Sequence, residues 1–315
     1  MDHQPNQLAL QLFEIAVADR DALEIKLDSK AGSRILDFAV GREGHLDAGI
    51  LLGRICMGGL AQIEVRDADD LLGLRSVEVS TDEPLLSCIG SQYAGWPISS
   101  GDYFAMGSGP LRMLRGEEEI LAAYGLAAPP QQAVGVLESN QLPLEATVEQ
   151  MAAECGIETR FLNVCVARTA SWPGSVQVVA RSIEVAMHKL NELECDLKTI
   201  CSGTGSAPLP PLAEDDMTAL GWTNDAILYG GRVELIVDTS DDAVRAVMDR
   251  LPSSSSSEFG EPFLDIFERY DRDFYKIDKM LFSPASVRIE NQATGTIWDV
   301  GEIRYDVLRR SFGIE

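Results

Sequence analysis

Histidine is scarce in this chain. Only His3, His45 and His188 occur in 315 residues, too few and too dispersed for a histidine-based metal site. The six cysteines (Cys56, Cys88, Cys155, Cys165, Cys195, Cys201) form no C-x-x-C pair, and the Cys195–Cys201 spacing does not suit a zinc knuckle. Set in apolar surroundings such as Val164-Cys165-Val166, they read as reduced, buried thiols of a cytoplasmic protein. Basic runs are missing too, the longest being Arg309-Arg310. With 26 Lys and Arg against 50 Asp and Glu, the formal charge is −24, a field that repels phosphate backbones and excludes a nucleic-acid partner. No apolar run approaches the roughly 20 residues of a membrane-spanning helix. Met1-Asp2-His3-Gln4-Pro5 has no basic stretch leading into an apolar run, so no secretory leader is expected.

Several nucleotide and hydrolase motifs are absent. Gly107-Ser108-Gly109 lacks the third glycine of G-x-G-x-x-G, because position 112 is Arg112. There is no phosphate-binding G-x-x-x-x-G-K-[ST] loop, no G-x-S-x-G elbow and no EF-hand pattern.

What is present is an alternation of strand-like and helix-like segments, which predicts α/β or α+β layers. Strands are expected at 33–40, 60–66, 75–81, 102–106, 133–138 and 160–169, and helices at 46–57, 84–90, 144–155 and 175–191. The Gly/Pro/Ser-rich segment Ser202 to Pro211 reads as a loop, and 226–238 as two strands around Gly230-Gly231. Ser240 is expected to cap a helix over 241–250, and Ser253 to Ser257 to form a mobile loop or linker. Short strands are expected near 273–278, 286–290 and 295–299. A break at 139–143 would divide the chain into domains 1–140 and 141–315, with room for the chain to cross between them.

The segment 175–191 is the most informative. Val176, Val179, Ala180, Ile183, Ala186, Met187 and Leu190 share one helical face, with Ser175 as the expected N-cap. Gln177, Arg181, Glu184 and His188 form a polar stripe opposite. The stripe is open to two readings: a solvated face with a surface ion pair worth about 0–1 kcal/mol, or the lining of a pocket.

Six strings stand in order along the chain: LLSCIGSQYAGW (85–96), FAMGSGP (104–110), SVQVVARSIEVAMHKL (175–190), GSAPLPP (205–211), TNDAILYGGRVELIVD (223–238) and FYKIDKMLFSPA (274–285). Together they resemble the methenyltetrahydromethanopterin cyclohydrolase family, from about residue 30 to 315. The resemblance implies two α/β domains enclosing a pocket, and hydrolysis of 5,10-methenyl-tetrahydromethanopterin to the 5-formyl compound, reversibly. It implies one-carbon metabolism, here formaldehyde oxidation, and a cytoplasmic homo-oligomer, a trimer favoured. No metal and no cofactor beyond the pterin carrier are implied, and the only partner expected is the small-molecule pterin, with no membrane. The family's catalytic Arg and Glu, three residues apart, fall on Arg181 and Glu184. Further substrate contacts are expected from Gln92, Tyr93, Gly107, Ser108, Gly109, Gln177, Asn224, Asp225, Tyr229 and Lys276. The backbone N–H groups of Gly107 to Gly109 would meet a polar tail, Tyr93 or Tyr229 would stack on a ring, and Asn224 and Asp225 would meet the pterin edge. Lys276 would meet an anionic tail. The competing expectation is a pterin-binding protein without turnover.

Overall fold

Runs of branched apolar residues alternating with polar ones become strands wherever one or both faces of a sheet are buried. The computed structural model describes residues 4–68, 72–129 and 131–314. Met1, Asp2 and His3, read above for a leader, lie outside them. In chain order come helix α1 (Pro5–Ala18), strands β1 (Lys26–Lys30) and β2 (Ser33–Ala39), helix α2 (Leu46–Cys56) and strands β3 (Gln62–Asp67) and β4 (Arg75–Thr81). A π-helix (Leu85–Gln92) precedes β5 (Trp96–Ser100), β6 (Tyr103–Ser108), α3 (Leu111–Arg115), α4 (Glu119–Tyr124), β7 (Ala133–Glu138) and α5 (Glu145–Glu154). Then follow β8 (Leu162–Ala167), α6 (Trp172–Val179), α7 (Ser182–Glu192), β9 (Ile200–Pro208), α8 (Asp216–Gly230) and β10 (Arg232–Val237). The chain ends with α9 (Asp241–Arg245), α10 (Phe263–Arg269), β11 (Ser286–Asn291), β12 (Thr296–Gly301) and α11 (Tyr305–Phe312). Ser240 caps α9 as expected, accepting from the Ala243 N–H at 3.2 Å.

The expected α/β class holds. Two six-stranded mixed sheets each anchor a compact unit, the first Met1–Ala61 with Leu86–Gln177 and the second Gln62–Leu85 with Val178–Glu315. The break predicted at 139–143 does not separate the units. Its flanking strands β7 and β8 pair in one sheet, and Ser139 is stitched to it by bonds from its N–H to Ala167 O at 3.0 Å and from its hydroxyl to Phe104 O at 2.8 Å.

The first unit orders its strands β1-β2-β8-β7-β6-β5, with β2, β8 and β7 parallel at the centre. Buried on both faces, these strands are nearly all apolar. Phe13, Leu52 and Ile55 of α1 and α2 pack with Leu36, Phe38, Val134 and Cys165 on one face. Leu111, Val148 and Met151 pack with Ile35, Leu137, Val164 and Val166 on the other.

The second unit orders its strands β12-β11-β10-β9-β4-β3, with only β10 and β11 parallel. Its inward residues, among them Val77, Val79, Val233, Leu235, Val287 and Ile289, are buried, while Glu64, Glu78, Glu234, Arg288 and Asp299 face outward. A concavity of about 530 Å³ spreads over that polar face and contains none of the predicted site residues.

Four local expectations fail here for physical reasons. The segment 202–211 is largely strand β9, paired on both sides. Its glycines are there for close approach, since a Cβ on Gly203 would sit 3.1 Å from Ile183 of α7, and one on Gly205 would collide with the Ser182 hydroxyl. Residues 226–230 belong to α8, whose start is fixed by Asp215 accepting from the N–H groups of Met217 and Thr218 at 2.9 Å each. The serine run is an ordered turn, not a linker: Ser253 donates to Leu228 O at 2.5 Å and Ser256 to Asp278 at 2.7 Å. Near 273–278 the chain forms a short turn, with Asp273 accepting from the Tyr275 N–H at 3.0 Å.

Candidate active site

The informative segment is two helices. Ser171 opens the first, accepting from the Gly174 N–H at 3.1 Å while donating to Arg168 O at 2.7 Å. Ser175, the expected cap, lies inside α6 and donates to Thr169 O at 3.1 Å. The helix stops at Val179, where the Arg181 N–H bonds Val178 O at 3.0 Å in a tight turn. Arg181 takes φ −83° and ψ 5° and becomes the N-cap of α7. A break this short barely shifts the phase of the 3.6-residue pattern, so periodicity alone does not expose it.

The phase survives. Val176, Val179, Ala180, Ile183, Ala186, Met187 and Leu190 are all buried. The polar stripe is buried as well: Gln177, Arg181 and Glu184 are 2%, 7% and 6% exposed, which removes the reading of a solvated surface pair. His188 is half-buried. Arg181 Nη1 stands 3.8 Å from Glu184 Oε2, an ionic contact longer than a hydrogen bond. Taking two such groups from water costs several kcal/mol each, and a loose pair does not recover that by attraction alone. Buried opposite charges in this geometry are a mark of a functional site more than of a stability device.

Lys189, beside the stripe, was missed by sequence reasoning. It is fully buried, and its ammonium donates to Ser255 Oγ at 3.1 Å and to Met280 O. Burial lowers its pKa to about 8, against the pull of Asp278 and with a small further push from Arg250. The signal available was a lysine next to apolar Met187 and Leu190 on a helix with a buried face.

In the first unit, Gln92 closes the π-helix and is buried, and Tyr93 follows it, half-buried. The Tyr93 N–H bonds Cys88 O at 2.8 Å. Gly107 and Ser108 are strand residues paired within the sheet, and the Ser108 hydroxyl lies 3.3 Å from both Val136 O and Cys56 Sγ. The Gly109 N–H donates to Ser91 O at 2.8 Å. One donor of the cradle expected of Gly107 to Gly109, the Gly109 N–H, is therefore spent on joining the FAMGSGP segment to the SQYAGW loop. Gln177 lies on α6.

In the second unit the structure commits most of the remaining candidates to the fold. Asn224 donates to Leu220 O at 2.9 Å, one turn back along α8. Asp225 is wholly buried and accepts from the Phe263 N–H at 2.8 Å and from the Ser311 hydroxyl at 2.5 Å, clamping α8 to α10 and α11. Burial raises its pKa to about 7, with those two bonds and Arg310 opposing and Asp265 adding to the rise. Tyr229 is a core residue, its hydroxyl donating to Glu261 O and its ring 5.2 Å from that of Phe259. Burial pushes its phenol well up. Asp225 and Tyr229 thus serve the core, contrary to the expected contacts with the pterin edge and ring. Lys276 is exposed, 3.8 Å from Asp271 and 3.9 Å from Asp273. Among the described residues, no group of three His, Cys, Asp or Glu stands where it could hold a metal ion.

Comparison with known proteins joins this geometry to a family. The model of the family described as Cyclohydrolase (MCH) matches residues 5–312. A methenyltetrahydromethanopterin cyclohydrolase from Rhodopirellula baltica is 50% identical over 291 residues, covering 90% of this chain and 87% of its own. The enzyme of that name from Methanospirillum hungatei is 40% identical, covering 98% of both chains. That from Methylobacillus flagellatus is 39% identical, covering 98% and 95%.

Proposed function

The chain belongs to the MCH cyclohydrolase family, hydrolases of a cyclic amidine, and on that premise we propose that it hydrolyses 5,10-methenyl-tetrahydromethanopterin to the 5-formyl compound. The observation that carries the mechanism is the buried Arg181–Glu184 pair at the start of α7, 3.8 Å apart. The reacting carbon lies between two nitrogens and shares their positive charge, so water attacks it. Glu184 accepts the first water proton as the carbon–oxygen bond forms and passes it to the nitrogen that leaves when its bond to carbon breaks. The second water proton goes to solvent as the formyl C=O forms, so the cation and water yield neutral product and one proton. Arg181 holds the oxygen through the tetrahedral adduct and in the formyl product. While ionised, Glu184 also attracts the cationic ring.

The same proposal assigns substrate contact to Gln92, Tyr93 and Gln177, buried or half-buried polar and aromatic groups. Free thiols at all six cysteines support a reducing, cytoplasmic setting. A role in formaldehyde oxidation and a homotrimeric state are carried from the family resemblance, and light scattering at working concentration measures the second. No helix among the described residues is long and apolar enough to cross a membrane. The decisive experiment follows loss of the methenyl ultraviolet absorbance with purified protein, beside the tetrahydrofolate analogue. Retention of the pterin without turnover would establish a binding protein instead.

A further inference from the structure

Two of the family strings, GSQYAGW (90–96) and FAMGSGP (104–110), are not used by the Arg181–Glu184 chemistry. The bond from the Gly109 N–H to Ser91 O at 2.8 Å joins them, and one buried side chain braces the first of them. Arg112 is fully buried. Its Nε donates to Glu118 Oε1 at 2.8 Å and its Nη2 to Glu118 Oε2. Its Nη1 donates to Ile89 O and Ser91 O, each at 3.2 Å, satisfying carbonyls in the last turn of the π-helix. Its guanidinium carbon stands 5.0 Å from the centre of the Tyr93 ring. The loop passes so close that a Cβ on Gly95 would collide with the Glu118 carboxylate and the Tyr93 ring.

A buried ion pair is a poor choice if stability alone is at stake, since apolar residues of the same volume do as well or better. What a guanidinium offers is a rigid plane with donors in fixed directions and a face that sits on an aromatic ring. Here the three ends of that plane are occupied by a carboxylate and two carbonyls, so its face is fixed and the Tyr93 ring is fixed with it. A π-helical turn, frequent at functional sites, supplies the carbonyls.

We propose that Arg112 is a positioning residue for pterin binding that acts by holding Tyr93 and the end of the π-helix. This rests on the substrate reading given above. The test is steady-state kinetics of methenyl-tetrahydromethanopterin hydrolysis for Arg112→Lys, Tyr93→Leu and the double variant. Lysine keeps the charge and loses the planar fork. Arg112→Lys raises KM about tenfold and leaves kcat within twofold, the signature of lost positioning. Tyr93→Leu raises KM similarly, and adding Arg112→Lys to it raises KM by less than a further twofold, because both act on one contact. If Arg112→Lys does not accumulate folded, Glu118→Gln, which keeps the shape of the pair and removes its charge, must show the same KM rise. An unchanged KM, multiplicative effects, or a uniform loss of active fraction overturns the positioning role while wild-type turnover stands. If neither variant folds, Arg112 serves the fold alone and the proposal is rejected. Wild-type protein without turnover overturns the function itself.

Discussion

Replacing Glu184 by Gln changes one oxygen for an amide nitrogen and leaves the shape of the site almost intact. Two effects follow, and they separate. The first is on stability. At 3.8 Å and an effective dielectric of about 20, the gross attraction to Arg181 is about 4 kcal/mol. Relief of the buried carboxylate's desolvation offsets much of this, and the amide oxygen still faces the guanidinium, so a net loss of about 1–2 kcal/mol is expected. For a chain of this size that lowers Tm by a few degrees. The second effect is on chemistry, because an amide cannot take the proton from water. General-base removal costs about 10²–10⁴ in rate, or roughly 3–5 kcal/mol in the barrier. The assay is single-turnover decay of methenyl absorbance under saturating enzyme, with a melting curve on the same preparation. Expected is a rate at least a hundredfold slower in protein still folded well above the assay temperature. A Glu184→Gln enzyme within tenfold of wild-type kcat would refute the proton-transfer role.

Arg181→Ala should lower kcat about 10²–10³-fold through loss of the oxygen-holding donor, and an unchanged rate would remove that role. Asp225 carries a folded pKa of about 7 against an ordinary 3.8, so the folded state holds its proton across that window. Its contribution to stability is full below about pH 4 and is lost as pH rises through about 7, and Asp225→Asn, which cannot ionise, should escape this loss. Melting of both proteins from pH 5 to 8 should show Asn gaining on Asp as pH rises and levelling off above about 7; a constant difference would count against the assignment. Ser253→Ala removes a buried bond to Leu228 O and should cost about 1–2 kcal/mol in urea unfolding. Limited proteolysis of the native protein should leave 253–257 uncut, whereas cleavage there would restore the linker reading.

Much of the layered fold was legible because strands and helices carry different periods. Arg75–Thr81 and Ala133–Glu138 form strands where expected, and Leu46–Cys56 a helix. Local composition misled where tertiary contact decides. Gly203, Gly205 and Pro208 look like loop, yet two of them face a helix too close for a side chain. Ile227 and Tyr229 look like strand, yet the Asp215 cap and helix packing hold them in α8. Burial of Gln177, Arg181 and Glu184 in the polar stripe could not be seen, because charge on a helix face looks the same whether solvated or covered. That the Gly109 N–H, one donor of the expected Gly107–Gly109 cradle, is taken by Ser91 O was not legible, because sequence shows which N–H groups exist and not which are already bonded. Arg112 gave a faint signal, a cation flanked by Leu111, Met113 and Leu114. The clamp made by Asp225 depends on Ser311, 86 positions away, and no local pattern contains it.

Because β3 and β4 are inserted early but pair onward through β9, the second sheet cannot close during the first part of synthesis. The first unit has all its strands once residue 177 has emerged, while the early hairpin waits with an open edge for a partner still inside the ribosome. Splitting the gene at any single point between β1 and β12 therefore leaves at least one sheet without some of its strands, and a nascent chain stalled between β8 and β9 is the form most exposed to wrong edge pairing.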